Sequence, residues 1–104
     1  MDNFHVKGTV PRPARGARRH ALIGVNASGN LEVLVERVLT LHECEIQVAT
    51  AVIGFRELWE AVIAEFLARC SPGGLRFSIN DGGARPDMVT LRLMQALRLM
   101  EVGP

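Results

Sequence analysis

Apolar and polar positions change rhythm several times along the chain, and each change marks a candidate element. Ala21-Leu22-Ile23-Gly24-Val25 and Leu31-Glu32-Val33-Leu34-Val35-Glu36 flank the turn-rich Asn26-Ala27-Ser28-Gly29-Asn30, which predicts strand, short loop and strand, a hairpin. From about Glu43 to Val52, Cys44, Ile46, Val48 and Val52 share one phase while Glu43, Glu45 and Gln47 hold the other. That alternation predicts a third strand with one wet face. Phe55, Leu58, Trp59, Val62, Ile63, Phe66, Leu67 and Cys70 then follow helical spacing, with Glu65 and Arg69 four apart on the polar side. Ser71-Pro72-Gly73-Gly74 should end this helix, because proline breaks the hydrogen-bond ladder and glycine accepts the left-handed conformation. Leu75, Phe77 and Ile79 alternate with Arg76, Ser78 and Asn80 to predict a fourth strand, closed by Asn80-Asp81-Gly82-Gly83. A second helix is expected from Pro86, with Asp87 at its positive end and Arg92 and Arg98 further along.

The order βββαβα predicts an α+β two-layer sandwich, a mainly antiparallel four-stranded sheet with two helices on one face. The last helix is apolar around much of its circumference, through Met88, Val89, Leu91, Leu93, Met94, Leu97, Leu99 and Met100. Either its apolar surface is all intramolecular core, or one side packs on the sheet and another awaits a partner chain. Residues 1–17, with Pro11, Pro13 and Gly16 among Lys7, Arg12 and Arg15, read as a flexible basic leader ahead of a single domain at 18–104.

At 104 residues, almost half of them apolar, the chain supports one core. Twelve Lys and Arg against eleven Asp and Glu give a net charge of +1, so the whole molecule does not read as a polyanion binder. Arg12, Arg15, Arg18 and Arg19 form a local basic cluster, but the chain has no Tyr and only Phe4 lies near them, which disfavours base stacking. No apolar run reaches the twenty or so residues that cross a bilayer, and a cytoplasmic protein is expected. Cys44 and Cys70 fit no zinc or redox spacing and read as buried thiols. His5, His20 and His42 stand apart from one another and from the cysteines, so no metal site is expected. Ser28 has neither a base partner nor a strand-to-helix elbow, which argues against a self-contained hydrolase. By local chemistry alone, Ser28-Gly29-Asn30 reads as a hairpin turn, in which Gly29 permits close approach to the neighbouring hydroxyl.

The segment Ser28-Gly29-Asn30-Leu31-Glu32-Val33-Leu34 resembles the prosthetic-group attachment motif of the acyl carrier (delta) subunit of biotin-independent malonate decarboxylase. The similarity continues through Ile46-Gln47-Val48-Ala49-Thr50, the helix around Trp59, Phe77-Ser78-Ile79-Asn80-Asp81, Gly83-Ala84, Pro86, Val89, Leu91-Arg92-Leu93 and Gln95-Ala96. It implies a non-catalytic carrier with 2'-(5''-phosphoribosyl)-3'-dephospho-CoA joined to Ser28 through a phosphodiester, and with Gly29 giving access to that site. It also implies partners: a cofactor-loading transferase, a malonyl transferase, and the acyl-transferase and decarboxylase subunits of a complex. Nucleic acid and membrane are not among them. Two other readings remain open, an unmodified scaffold or regulatory homologue of the carrier and a small nucleic-acid-binding module using the arginine cluster.

Overall fold

In the computed structural model, which describes residues 2–102, five strands and two helices follow one another as β1 (Asp2–Thr9), β2 (His20–Gly24), β3 (Leu31–Arg37), β4 (Glu43–Thr50), α1 (Arg56–Arg69), β5 (Leu75–Asp81) and α2 (Pro86–Glu101). The strands form one sheet in the order β1-β4-β5-β3-β2. The α+β class and the two helices agree with the sequence pattern, but the sheet has five strands where four were expected. The extra strand is β1, which corrects the expectation of a flexible leader. Phe4 and Val6 turn towards the core while Asn3, His5 and Lys7 turn away, and all eight residues pair antiparallel with β4.

The sheet is mixed. β1–β4, β3–β5 and β2–β3 are antiparallel, whereas β4 and β5 run parallel and are joined through α1. A parallel pair needs a crossover of a dozen or more residues, which α1 and its flanking loops supply. One sheet face is apolar across all five strands: Phe4, Ile46, Val48, Phe77, Ile79, Val33, Val35 and Ala21 are buried beneath the helices. Phe66 stacks edge-on against Phe77 at 5.6 Å, and Trp59 meets Phe4 in the same manner at 6.3 Å. The other face carries charges of alternating sign in register, Lys7, Glu45, Arg76 and Glu36, with Arg76 3.1 Å from Glu36 and Lys7 3.8 Å from Glu45. Opposite charges on neighbouring strands favour this register over a slipped one.

α2 starts where proline requires. Arg85 is extended (φ −74°, ψ 156°), as the residue before proline prefers, and Pro86 opens the first turn with Asp87 beside it. Val89, Leu93, Ala96, Leu97 and Met100 are buried, while Leu91 and Met94 remain outside. Its apolar surface is therefore not all consumed inside the chain. α1 ends as anticipated, its final N–H, from Cys70, reaching Phe66 O before Ser71-Pro72. Cys44 is buried, but Cys70 is only half-buried, with Sγ 3.4 Å from Met94 Sδ, so the expectation of two buried thiols holds for one.

After β1 the chain remains anchored. Arg37, at the end of β3, donates to four main-chain carbonyls: Nε to Arg18 (2.9 Å), Nη1 to Ala14 (3.0 Å), and Nη2 to Arg15 (3.0 Å) and Met100 (2.8 Å). Ser71 Oγ accepts from Arg12 N at 2.7 Å and donates to Arg12 O at 2.6 Å, and Pro13 forms a parallel bridge with Gly73. Residues 10–19 lack regular structure yet are tied to β3, the α1–β5 connection and α2 through these contacts.

Candidate functional site

Asp2, Thr50, Asp81 and Leu31 lie in one row across the sheet. Beyond that row, at one end of the molecule, are the β2–β3 turn, the β4–α1 and β5–α2 connections, and the N-terminal ends of both helices. The turn is built from a few main-chain bonds. Val25 N donates to Leu31 O at 3.0 Å and closes the hairpin, and Asn30 N donates to Ala27 O at 2.9 Å across Ser28 and Gly29. Gly29 has φ +74°, whereas none of the described non-glycine residues has a positive φ. Positive φ confined to the third of four residues is the signature of a type II turn, and it favours glycine there. Ser28 therefore occupies the outer corner.

The Ser28 side chain is exposed, and its hydroxyl makes no hydrogen bond within the described residues. A Cβ placed on Gly29 would have nothing within 4 Å, so the space beside the hydroxyl is open. The other two serines are poorer candidates for outside chemistry. Ser71 is held by two bonds to the Arg12 main chain, and Ser78 lies inside β5 in the middle of the sheet.

The turn does not hang free from its hairpin. Gly29 N donates to Gly82 O at 3.1 Å, and Gly82 N returns a bond to Asn30 O at 2.8 Å. A Cβ on Gly82 would come within 2.1 Å of Ala27 O, so the approach of the β5–α2 connection to the turn depends on a bare glycine. Asn30 Oδ1 accepts from Leu31 N at 2.8 Å and fixes the return into β3.

Asp81 positions Gly82. Its carboxylate, only 5% exposed, accepts from Thr50 Oγ1 (2.7 Å), Gly83 N (3.0 Å) and Ala84 N (2.9 Å). The turn sequence alone places Asp81 at the end of a strand, and its burial is tolerated because three donors replace its water. Its neighbour Asn80 points to the open sheet face, 3.4 Å from Glu32.

Beside the same connection an apolar groove of about 270 Å³ opens between Val52, Phe55, Leu58, Trp59, Ala84 and Pro86. Phe55 and Leu58 belong to the apolar stripe expected to be buried, but they are 50% and 44% exposed. Buried helix contacts begin with Trp59 and continue through Ile63 and Phe66, while the preceding stretch lines the groove.

Arg12, Arg15, Arg18 and Arg19 gather at the opposite end. β2 runs from His20 to Gly24, so Arg18 and Arg19 precede the strand whose far end leads to Ser28. Five strand residues at roughly 3.3 Å each separate them from the turn. Arg56 and Arg85 stand at the helix starts of the hairpin end, and Arg92, further along α2, reaches the hairpin itself, its Nε 3.4 Å from where a Cβ of Gly24 would stand. The sequence places it only as a cation further along the last helix, with no spacing that ties it to the Ser28 turn. No three His, Cys, Asp or Glu side chains among the described residues gather as a metal site.

A serine presented at a braced turn, its hydroxyl bonded to no base among the described residues, is suited to being acted upon by another enzyme. The family comparisons agree with that character. The family described as malonate decarboxylase delta subunit (MdcD) matches residues 18–100. The malonate decarboxylase acyl carrier protein of Bradyrhizobium diazoefficiens is 60% identical over 98 residues, covering 94% of this chain and 93% of the relative. The protein of the same name from Xanthomonas euvesicatoria pv. vesicatoria is 52% identical over 101 residues, covering 97% and 96%. A chain in the crystal structure of a Pseudomonas malonate decarboxylase hetero-tetramer in complex with malonate superimposes with a TM-score of 0.84 at 33% identity, covering 96% of this chain and 99% of that one. The chain thus belongs to the malonate decarboxylase delta subunit family, as an acyl carrier rather than a catalytic subunit.

Proposed function

We propose that Ser28 is the residue to which this carrier's prosthetic group is attached, and that the group is 2'-(5''-phosphoribosyl)-3'-dephospho-CoA. The observation that carries this reading is the exposed, unbonded Ser28 hydroxyl at the corner of a type II turn, with open space beside Gly29. A loading transferase supplies the base. It removes the hydroxyl proton as Ser28 Oγ bonds to the phosphorus of a triphosphoribosyl precursor and inorganic pyrophosphate leaves. Nothing in this chain has to shift the pKa of the serine, because activation belongs to the loading enzyme.

When bound, the group provides a terminal thiol that carries acetyl and malonyl as thioesters. The chain's own contribution is mechanical. The Gly29–Gly82 and Gly82–Asn30 bonds brace the attachment turn, and Asp81 braces Gly82 in turn. A tether rooted there keeps its cargo at high effective concentration for the malonyl transferase, acyl-transferase and decarboxylase sites of a multi-subunit complex. That assembly is supported by likeness to a chain of the Pseudomonas hetero-tetramer. The free thiols Cys44 and Cys70 fit a cytoplasmic, reducing setting.

Intact-mass analysis after co-expression with the cofactor-synthesis and loading enzymes tests the reading. The wild-type chain should gain one mass increment that fragmentation places on Ser28, and Ser28→Ala should gain none while keeping its fold. Modification that persists in Ser28→Ala would remove Ser28 from the proposal. A wild-type chain that joins the complex without a mass increment would establish the scaffold reading instead.

A further inference from the structure

Arg92 is the one described residue with a buried side-chain nitrogen or oxygen lacking a hydrogen-bond partner, and that atom is Nε. Its guanidinium makes a single hydrogen bond among the described residues, from Nη1 to Gln95 Oε1 at 2.9 Å, and takes part in no ion pair there. A buried N–H without an acceptor is destabilising, and a half-buried positive charge without a carboxylate adds to that cost. A fold retains such an arrangement most readily where something outside the chain supplies the acceptor.

The position identifies the missing partner. Arg92 Nε is beside Gly24, where β2 enters the Ser28 turn. Ser28 stands four positions after Gly24, so at about 3.5 Å per residue the two lie at most roughly 14 Å apart. Glu32, the acidic residue paired with Gly24, bonds with Asn80 on the face away from the helices. No carboxylate competes from that strand. A guanidinium fork matches the paired oxygens of phosphate esters and pyrophosphates better than a point charge does.

We propose that Arg92 binds a phosphate oxygen of the group tethered to Ser28 and holds the root of the arm against the hairpin. The inference deepens the attachment reading and rests on it for the identity of the anion. Arg92 acts here as a positioning residue. The phosphate supplies the acceptor that Nε lacks, and the guanidinium fixes the direction in which the arm leaves the turn.

The test uses ¹⁵N-labelled, unloaded full-length chain titrated with inorganic pyrophosphate and, separately, with dephospho-coenzyme A. The Arg92 Nε–H resonance should move saturably together with the Gly24 and Val25 amides. Arg92→Met should weaken binding about tenfold or more, while Arg92→Lys should retain part of it. In the unloaded state Arg92→Met should keep or raise the unfolding midpoint, because it removes an orphaned donor, whereas a purely structural arginine would lower it. Responses confined to Arg12, Arg15, Arg18 and Arg19 at the other end, or equal binding by Arg92→Met, overturn the proposal. Because this chain is unloaded, failure here concerns Arg92, while a missing mass increment at Ser28 concerns the attachment reading.

Discussion

Cys44 faces inward on β4, and burial raises its thiol from the usual 9.0 to about 12, with the neighbouring Glu45 charge adding to the effect. The unfolded chain releases this proton near the ordinary value while the folded chain retains it. Above pH 9 the unfolded state therefore binds fewer protons, and stability falls as pH rises. The contribution is complete below pH 9 and is lost progressively towards pH 12. Denaturant unfolding of wild type and Cys44→Ala between pH 8 and 11 should show a steeper alkaline loss for wild type, and parallel curves would refute the assignment. The inward phase of Cys44 was legible in the alternation of its strand, and so was the candidacy of Ser28 once its motif resemblance was noted. The roles of Arg37 and Arg92 were not legible. Arg37 gathers carbonyls from residues 14, 15, 18 and 100, and Arg92 reaches Gly24, pairings that no local spacing encodes.

Among the elements, the β5–α2 connection has the clearest consequence for the candidate site. Gly82→Ala would drive a methyl group into Ala27 O and break the pair of bonds that brace the Ser28 turn. The expected result is a loss of about 1–3 kcal/mol of stability. Loading of Ser28 should slow more than that modest unfolding explains, which rate measurements by intact mass at a temperature where the variant remains folded would show. Normal loading kinetics would mean that the brace is dispensable. The helices and β2 to β5 were readable because each has a sustained period of apolar residues bounded by glycine, proline or polar turns. β1 was missed because only Phe4 and Val6 carry its inward phase, while Pro11, Pro13 and Gly16 pull the local composition towards loop. The parallel β4–β5 pair was missed although strand, helix and strand in succession permit it. The alternating pattern of each strand records a buried and a wet face, not the direction of its neighbour.

Across the whole molecule, β1 and the Ser28 hairpin occupy opposite edges of the sheet, with β4, β5 and β3 between them. This separation divides the work of the chain: one edge covers the core, and the other presents the turn. Deleting residues 2–9 would expose the paired edge of β4 along its full length and remove Phe4 from its contact with Trp59. Loss of a buried phenylalanine alone costs about 3–5 kcal/mol. For a domain of this size that corresponds to a fall of at least roughly 10 °C in the unfolding midpoint. The uncovered strand edge should also promote pairing between chains, so sedimentation should report larger species than for the full-length protein. Ser28 loading should survive in the fraction that remains folded, because none of the bonds that build its turn comes from β1. An unchanged midpoint and unchanged sedimentation would return residues 2–9 to the role of a dispensable leader. Loss of loading from chain that is still folded would instead show that the two sheet edges are coupled through β4 and β5.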